Sequence, residues 1–203
     1  MTVIGITGPT GAGKTTALNA LRALGAEVID ADAVYHELLR EKAELRAALA
    51  AAFGPGILDG EGQVDRRALA KAVYPDRLPE LNGITHPFVV EEVGRLIEAA
   101  QRAGKPAAAI DAIALIESGL GETCDVIVSV LAPLEVRIGR IMARDGIDEG
   151  YARRRALAQK AEDFFRAHSD YVLENGEGDT PEEFRVRAAE LFGGLLKEKF
   201  SRP

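Results

Sequence analysis

Gly8-Pro9-Thr10-Gly11-Ala12-Gly13-Lys14-Thr15 is the stretch from which the fold can be read. It fits the pattern G-x-x-x-x-G-K-T/S, and its flanks are those the pattern needs. Ahead of it, Thr2-Val3-Ile4-Gly5-Ile6-Thr7 is a short apolar, β-branched run, the mark of a buried strand. Behind it, Ala17, Leu18, Leu21 and Leu24 recur at helical spacing. A strand feeding a glycine loop that opens a helix aims several backbone N–H groups at one point, and the helix dipole adds to their pull on an anion. Glycines Gly8, Gly11 and Gly13 let phosphate oxygens approach the backbone and leave φ unrestricted. In this reading Lys14 reaches the β- and γ-phosphates and the Thr15 hydroxyl ligates Mg²⁺. The stretch implies a bound nucleoside triphosphate.

Composition bounds the rest. With 203 residues and 47% hydrophobic content, the chain can bury one substantial core, so one domain with insertions is expected. A formal charge of −7 offers no broad basic surface and argues against a nucleic-acid partner. An anionic ligand must then be held by local arginines and backbone amides. The single Cys124 excludes an internal disulfide and is expected as a small buried hydrophobe at a strand start. No apolar run reaches membrane-spanning length and no signal peptide is evident, so a soluble, cytoplasmic protein without membrane contact is expected.

Along the chain, Gly25 sits where a helix C-cap belongs, and Val28-Ile29 reads as a second strand running into Asp30 and Asp32. In open α/β folds ligands bind beyond the carboxyl ends of strands, which puts both acids at the expected site, facing one way if the backbone stays extended. From Ala33 to Ala52 one helix is predicted, burying Leu38, Leu39, Leu45 and Leu49. A glycine-rich loop follows, then a helix with Asp65 as N-cap that Pro75 and Pro79 interrupt. Thr85-His86-Pro87 leads into a longer amphipathic helix through Val89, Val93 and Ile97. Residues from about 33 to 104 are thus a helical insertion, placed to wall off a second substrate. Ala107 to Leu115 is a central strand with Asp111 at its end; Val126–Leu131 is a fourth strand and Asp170–Asn175 a short fifth. Pro181 to Lys199 is a C-terminal amphipathic helix.

The helix after Ala132-Pro133 carries two stripes. Leu134, Ile138 and Ile141 form a core stripe; Arg137, Arg140 and Arg144 form a second about 100° away. With Arg153, Arg154 and Arg155 they make six arginines within nineteen residues of an acidic chain, a pattern that suits a phosphate clamp. The competing view is a solvated face paired to Glu135, Asp145, Asp148 and Glu149. No N-K-x-D element for guanine is present, and the chain is small for a motor. A phosphate loop, a helical insertion and an arginine-rich lid suit a small-molecule kinase, whose lid excludes water so that the γ-phosphate goes to an acceptor hydroxyl. Asp32 is then the candidate base for that hydroxyl, with Asp30 orienting it or standing behind the metal.

Read together, these residues resemble the dephospho-CoA kinases. The resemblance is carried by Ile4-Gly5-Ile6-Thr7-Gly8, Val28-Ile29-Asp30-Ala31-Asp32, Asp65-Arg66-Arg67-Ala68-Leu69, Leu81-Asn82, and Ile84-Thr85-His86-Pro87. It continues in Arg140-Ile141-Met142-Ala143-Arg144-Asp145-Gly146, in Arg154 with Gln159, and in Asp170-Tyr171-Val172-Leu173-Glu174-Asn175. It implies an α/β fold of the P-loop NTPase, nucleotide-kinase-like type: three layers around a five-stranded parallel sheet, with a helical insertion and a lid. The whole of 1–203 is then one kinase domain, with core 1–32, 105–137 and 168–203, acceptor insertion 33–104 and lid 138–167.

The activity implied is transfer of the ATP γ-phosphate, with Mg²⁺, to the ribose 3′-hydroxyl of dephospho-CoA, the last step of coenzyme A synthesis, by a monomer or small homo-oligomer. The resemblance further implies an ATP loop of Gly8, Gly11, Ala12, Gly13, Lys14, Thr15 and Thr16 with Asn175, and lid arginines Arg140 and Arg144. Asp32 is the catalytic carboxylate, and His86, Asp111 and Arg154 lie on the acceptor side. The chain departs from the family at Asp111-Ala112-Ile113-Ala114-Leu115-Ile116-Glu117, where Asp-x-Pro-Leu-Leu-x-Glu is usual. It also departs at Phe165, where many members carry lysine, and at Pro9-Thr10, where Gly-Ile is common. The residues alone leave open another small-molecule or nucleoside kinase with a related acceptor, or a nucleotide-dependent binder without catalysis.

Overall fold

In the computed structural model, which describes residues 1–198, five strands form one parallel sheet in the order β2-β3-β1-β4-β5. They are β1 (Thr2–Thr7), β2 (Glu27–Asp30), β3 (Ala107–Asp111), β4 (Val126–Leu131) and β5 (Tyr171–Glu174). All five runs expected to be strands are strands; the third stops at Asp111 rather than continuing to Leu115. β1 lies between β3 and β4, with Ile4 opposite Ala109 on one side and Val126 on the other. The connection from β3 to β4 passes over β1, so the carboxyl end of β1 is where strand order reverses and a crevice opens. β4 is buried along its whole length, as a strand covered on both faces must be.

The chain divides into two compact units, one made of residues 1–29 and 97 onward, the other of Asp30–Leu96. In the first, α1 (Lys14–Ala23) and α9 (Pro181–Leu195) pack on the sheet through Leu18, Leu21, Phe184 and Phe192 against Ile4, Ile6 and Val128. A capping box between Thr180 and Glu183, with Pro181 at the first helical position, starts α9. Its last described turn ends before Lys199, which lies outside the described residues. α6 (Leu134–Asp145) and α7 (Glu149–Leu157) join through Ile138, Ile141, Ala152 and Ala156, and α8 (Glu162–Ala167) precedes β5. Cys124 is buried just ahead of β4, as expected.

The second unit is helical, and two expectations fail there. The helix predicted over 33–52 is two: α2 (Ala31–Glu41) and α3 (Ala43–Phe53), separated by Lys42 in an extended conformation. No glycine or proline marks that break. It lets α3 fold back against α2 with Leu38, Leu39, Leu45 and Leu49 all buried, so tertiary packing overrides local propensity. α4 (Arg66–Val73) starts on Asp65, whose carboxylate accepts from the Arg67 and Ala68 N–H groups at 2.8 and 3.2 Å. α5 runs from Leu78 to Arg102, straight through Pro87, although that proline was expected to precede the helix. Proline removes the bond to the Gly83 carbonyl, but Gly83 is exposed and water can satisfy it. Pro79 stands in the first turn, where no N–H partner is needed.

Candidate active site

The phosphate loop joins β1 to α1. Gly8, Gly11 and Gly13 have φ of 132°, 83° and 110°. A Cβ on Gly8 would stand 2.2 Å from the Val130 carbonyl oxygen, and one on Gly13 2.3 Å from Asn175 Nδ2. Glycine is therefore demanded there twice, by φ and by close packing on β4 and on the residue after β5. α1 has no side-chain N-cap and no acid in its first turn, so nothing of the protein's own repels an anion at that terminus. Lys14 Nζ donates to the Gly8 carbonyl at 2.7 Å. Thr15 is exposed, and its hydroxyl makes no hydrogen bond among the described residues. An open glycine cradle, an ammonium beside it and an uncommitted hydroxyl in the first helical turn fit a nucleotide triphosphate with one hard divalent cation.

Two arginines of α6 hold this loop from behind. Arg137, only 8% exposed, donates from Nε to the Thr10 carbonyl at 3.0 Å and from Nη2 to the Ala156 carbonyl at 3.2 Å and Gln159 Oε1 at 3.0 Å. Gln159 in turn accepts from the Thr10 N–H at 2.8 Å and donates to the Thr10 hydroxyl at 2.9 Å. Arg140 donates to the Gly11 and Ala12 carbonyls, both at 3.3 Å, and to Asn175 Oδ1 at 3.0 Å. Asn175 Nδ2 closes the circuit on the Ala12 carbonyl at 2.8 Å. Burial pulls both guanidinium groups below the ordinary arginine range; for Arg140 the Asp179 carboxylate opposes that shift. The Thr10, Gly11 and Ala12 carbonyl oxygens are thus turned back onto the arginines, while the Thr10 N–H is held by Gln159 and the Ala12 N–H by the Pro9 carbonyl.

The structure thus brings Arg140, Asn175 and the loop together. Arg137 was expected only as one member of the arginine cluster and Thr10 only as a departure within the loop, and Gln159 appeared only as part of a longer pattern. The helical stripe holds Arg137, Arg140 and Arg144 on one face, and spacing cannot say which of them is buried. Of the other clustered arginines, Arg144 and Arg155 both pair with Asp145, and Arg153 with Glu135 and Glu149. These three follow the solvated-face view. Arg154 is exposed, its guanidinium 5.6 Å from the Tyr151 ring centroid. Asp111 is half-buried at the end of β3, and just after it the Ile113 carbonyl accepts from the buried Thr7 hydroxyl at 3.2 Å.

In the helical unit, Asp30 has a structural task. Its carboxylate caps α2, accepting from the Asp32 and Ala33 N–H groups at 2.9 and 3.0 Å. The backbone does not stay extended past it: α2 begins at Ala31, so Asp32 stands exposed in a helical first turn. The orienting role expected of Asp30 gives way to capping. His86 is half-buried within α5, directly before Pro87.

A parallel sheet of this order, with a glycine loop at the central strand and a lysine-threonine helix start, defines a P-loop kinase fold. The family model described as "Dephospho-CoA kinase" matches residues 2–180. A dephospho-CoA kinase of Salinibacter ruber is 36% identical over 95% of this chain and 96% of its own length. A solved Thermus thermophilus protein, TT1252, is 34% identical with a TM-score of 0.78, covering 97% of this chain and 98% of that one. A dephospho-CoA kinase structure from Campylobacter jejuni shares the fold at 24% identity and a TM-score of 0.70, over 96% and 97% of the two chains. The chain belongs to the dephospho-CoA kinase family, and so to the ATP-using phosphotransferases acting on a small molecule. Among the described residues no helix is long and apolar enough to cross a membrane.

Proposed function

We propose that this protein transfers the γ-phosphate of ATP to the ribose 3′-hydroxyl of dephospho-CoA, giving coenzyme A. The observation that carries the reading is the family match over residues 2–180 on a chain whose phosphate loop is built without a competing acid or cap. Lys14 exchanges its bond to the Gly8 carbonyl for the β- and γ-phosphate oxygens, and the loop N–H groups hold the triphosphate. Thr15 would hold Mg²⁺, which would supply neutralisation of phosphate charge when bound. Arg140 fixes the loop, and Arg144 and Arg154 meet phosphate once freed from their present neighbours. Asp32 accepts the proton of the 3′-hydroxyl as that oxygen attacks phosphorus; ADP leaves. His86 and Asp111 serve the acceptor side. We place the reaction in the cytoplasm and expect a monomer or small homo-oligomer.

A coupled ADP-release assay with dephospho-CoA against a panel of nucleosides tests the reading; no preference for dephospho-CoA overturns it. Asp32→Asn is expected to lower kcat about 10²-fold or more while leaving the KM for ATP unchanged. Unchanged turnover would transfer the base role to another carboxylate, Asp111 first.

A further inference from the structure

Thr10 and Gln159 meet through both polar atoms of the Gln159 amide. Gln159 Oε1 accepts from the Thr10 N–H at 2.8 Å and from Arg137 Nη2 at 3.0 Å. Two donors converging on one atom identify it as the oxygen, which leaves Nε2 facing the Thr10 hydroxyl at 2.9 Å. That hydroxyl therefore accepts. The Thr10 carbonyl accepts in turn from Arg137 Nε at 3.0 Å, so all three polar groups of this one loop residue are held. The isoleucine common in the family at this position has no oxygen to offer Nε2. The second bond of the clasp thus depends on this chain's threonine.

Pro9, the neighbouring departure, acts in the same sense. Its ring fixes φ where glycine is common, and its carbonyl accepts the Ala12 N–H at 3.2 Å. A Cβ on Gly11 would stand 2.8 Å from the Arg137 carbonyl oxygen, so the loop also packs directly on the backbone of α6. Proline and a clasped threonine in place of glycine and isoleucine reduce the shapes open to the loop. We propose that Gln159 is a positioning residue for ATP: through Thr10 it holds the phosphate loop in its anion-binding shape before the nucleotide arrives. ATP then binds without first ordering the loop, and its affinity is correspondingly higher. Gln159 lies just beyond α7, and Arg137 Nη2 also bonds the Ala156 carbonyl at 3.2 Å. The clasp therefore joins the loop to the end of α7, and by linkage ATP on the loop steadies that end.

The test is calorimetric titration of Mg²⁺-ATP into the full chain without acceptor, so its outcome is independent of the dephospho-CoA reading. Thr10→Val removes the hydroxyl and keeps the shape; the Kd for ATP is expected to rise about fivefold, as for one hydrogen bond. Gln159→Ala, which loses both bonds to Thr10, should raise it at least about tenfold. In the double variant the Kd should stay within about twofold of Gln159→Ala alone, because the hydroxyl has already lost its partner. Thr10→Ser keeps the oxygen and should hold the Kd within about twofold of wild type. Steady-state kcat at saturation should change less than about twofold in all of these, since the clasp acts on binding. Lost stability alone moves the Kd by only about one-tenth while nine-tenths of the chain stays folded, so it does not imitate these shifts. In hydrogen exchange, ATP should protect 156–159 together with 8–16 in the wild type, and 8–16 alone in Gln159→Ala. A raised Kd in Thr10→Val with Gln159→Ala at the wild-type value would make the hydroxyl a direct phosphate contact and overturn the clasp. Fully additive losses in the double variant, or a Kd unchanged in both single variants, would overturn it as well.

Discussion

At the scale of single residues, the informative group is Arg137. Three of its N–H bonds end on the Thr10 carbonyl, the Ala156 carbonyl and Gln159, tying the phosphate loop to α7 and its end. Arg137→Ala would leave buried acceptors without donors, and stability is expected to fall by about 3 kcal/mol, with the KM for ATP up roughly tenfold. Chemical denaturation and initial-rate kinetics on one preparation check both; a loss of stability with unchanged KM for ATP would refute the bracing role. Asp145 makes the opposite case, an exposed charge with a measurable signature. The Arg144 guanidinium, and then that of Arg155, hold its carboxyl down to about 2 from an ordinary 3.8. A carboxyl with a lowered folded pKa contributes stability that is full above about pH 4 and is lost as the pH falls through about 2. A carboxyl NMR titration should therefore find the Asp145 midpoint near 2, and a midpoint at 3.8 would dissolve the Arg144–Asp145–Arg155 cluster. Both arginine roles were hidden in one helical stripe. Periodicity places a side chain on a face, whereas burial depends on what α7 brings to that face.

At the scale of elements, the start and end signals proved more dependable than the breakers. Asp65 caps the helix it was expected to start, because a cap is a contact within four residues. Pro87 and Lys42 reversed expectation in opposite senses: a helix passes through the proline and breaks at the lysine. α5 bears Pro87 with Thr85 buried before it and Val89 and Val93 buried after it, so packing holds the helix around the lost hydrogen bond. Pro87→Ala restores that bond and should raise the urea midpoint, by about 1–3 kcal/mol in free energy. A lowered midpoint would mean that the proline ring itself is packed upon. The sequence-level reading of α2 failed similarly at Asp30 and Asp32. Extended geometry was assumed to persist for two residues past the strand, but Asp30 is itself the residue that turns strand into helix.

For the whole molecule, two compact units and two substrates give a spatially separable response to ligands. Mg²⁺-ATP at about 100 times its Kd should stabilise the protein by about 2.7 kcal/mol. Hydrogen exchange should then show protection at 8–16 and at Asn175, in the unit holding the loop. Dephospho-CoA alone should protect 31–41, in the helical unit. Protection spread evenly over both units by either ligand would contradict the division of labour.

The sequence by itself determined the sheet, the phosphate loop and the family. Strand runs, a glycine pattern and short ordered motifs are local, and their physics acts over a few residues. Only the tertiary structure decided which arginines serve the loop. It alone set Gln159 against Thr10 and Arg137. The bracing of the loop depends on contacts between residues up to 163 positions apart, as between Ala12 and Asn175. Burial and hydrogen bonds of this kind arise only when such distant segments pack.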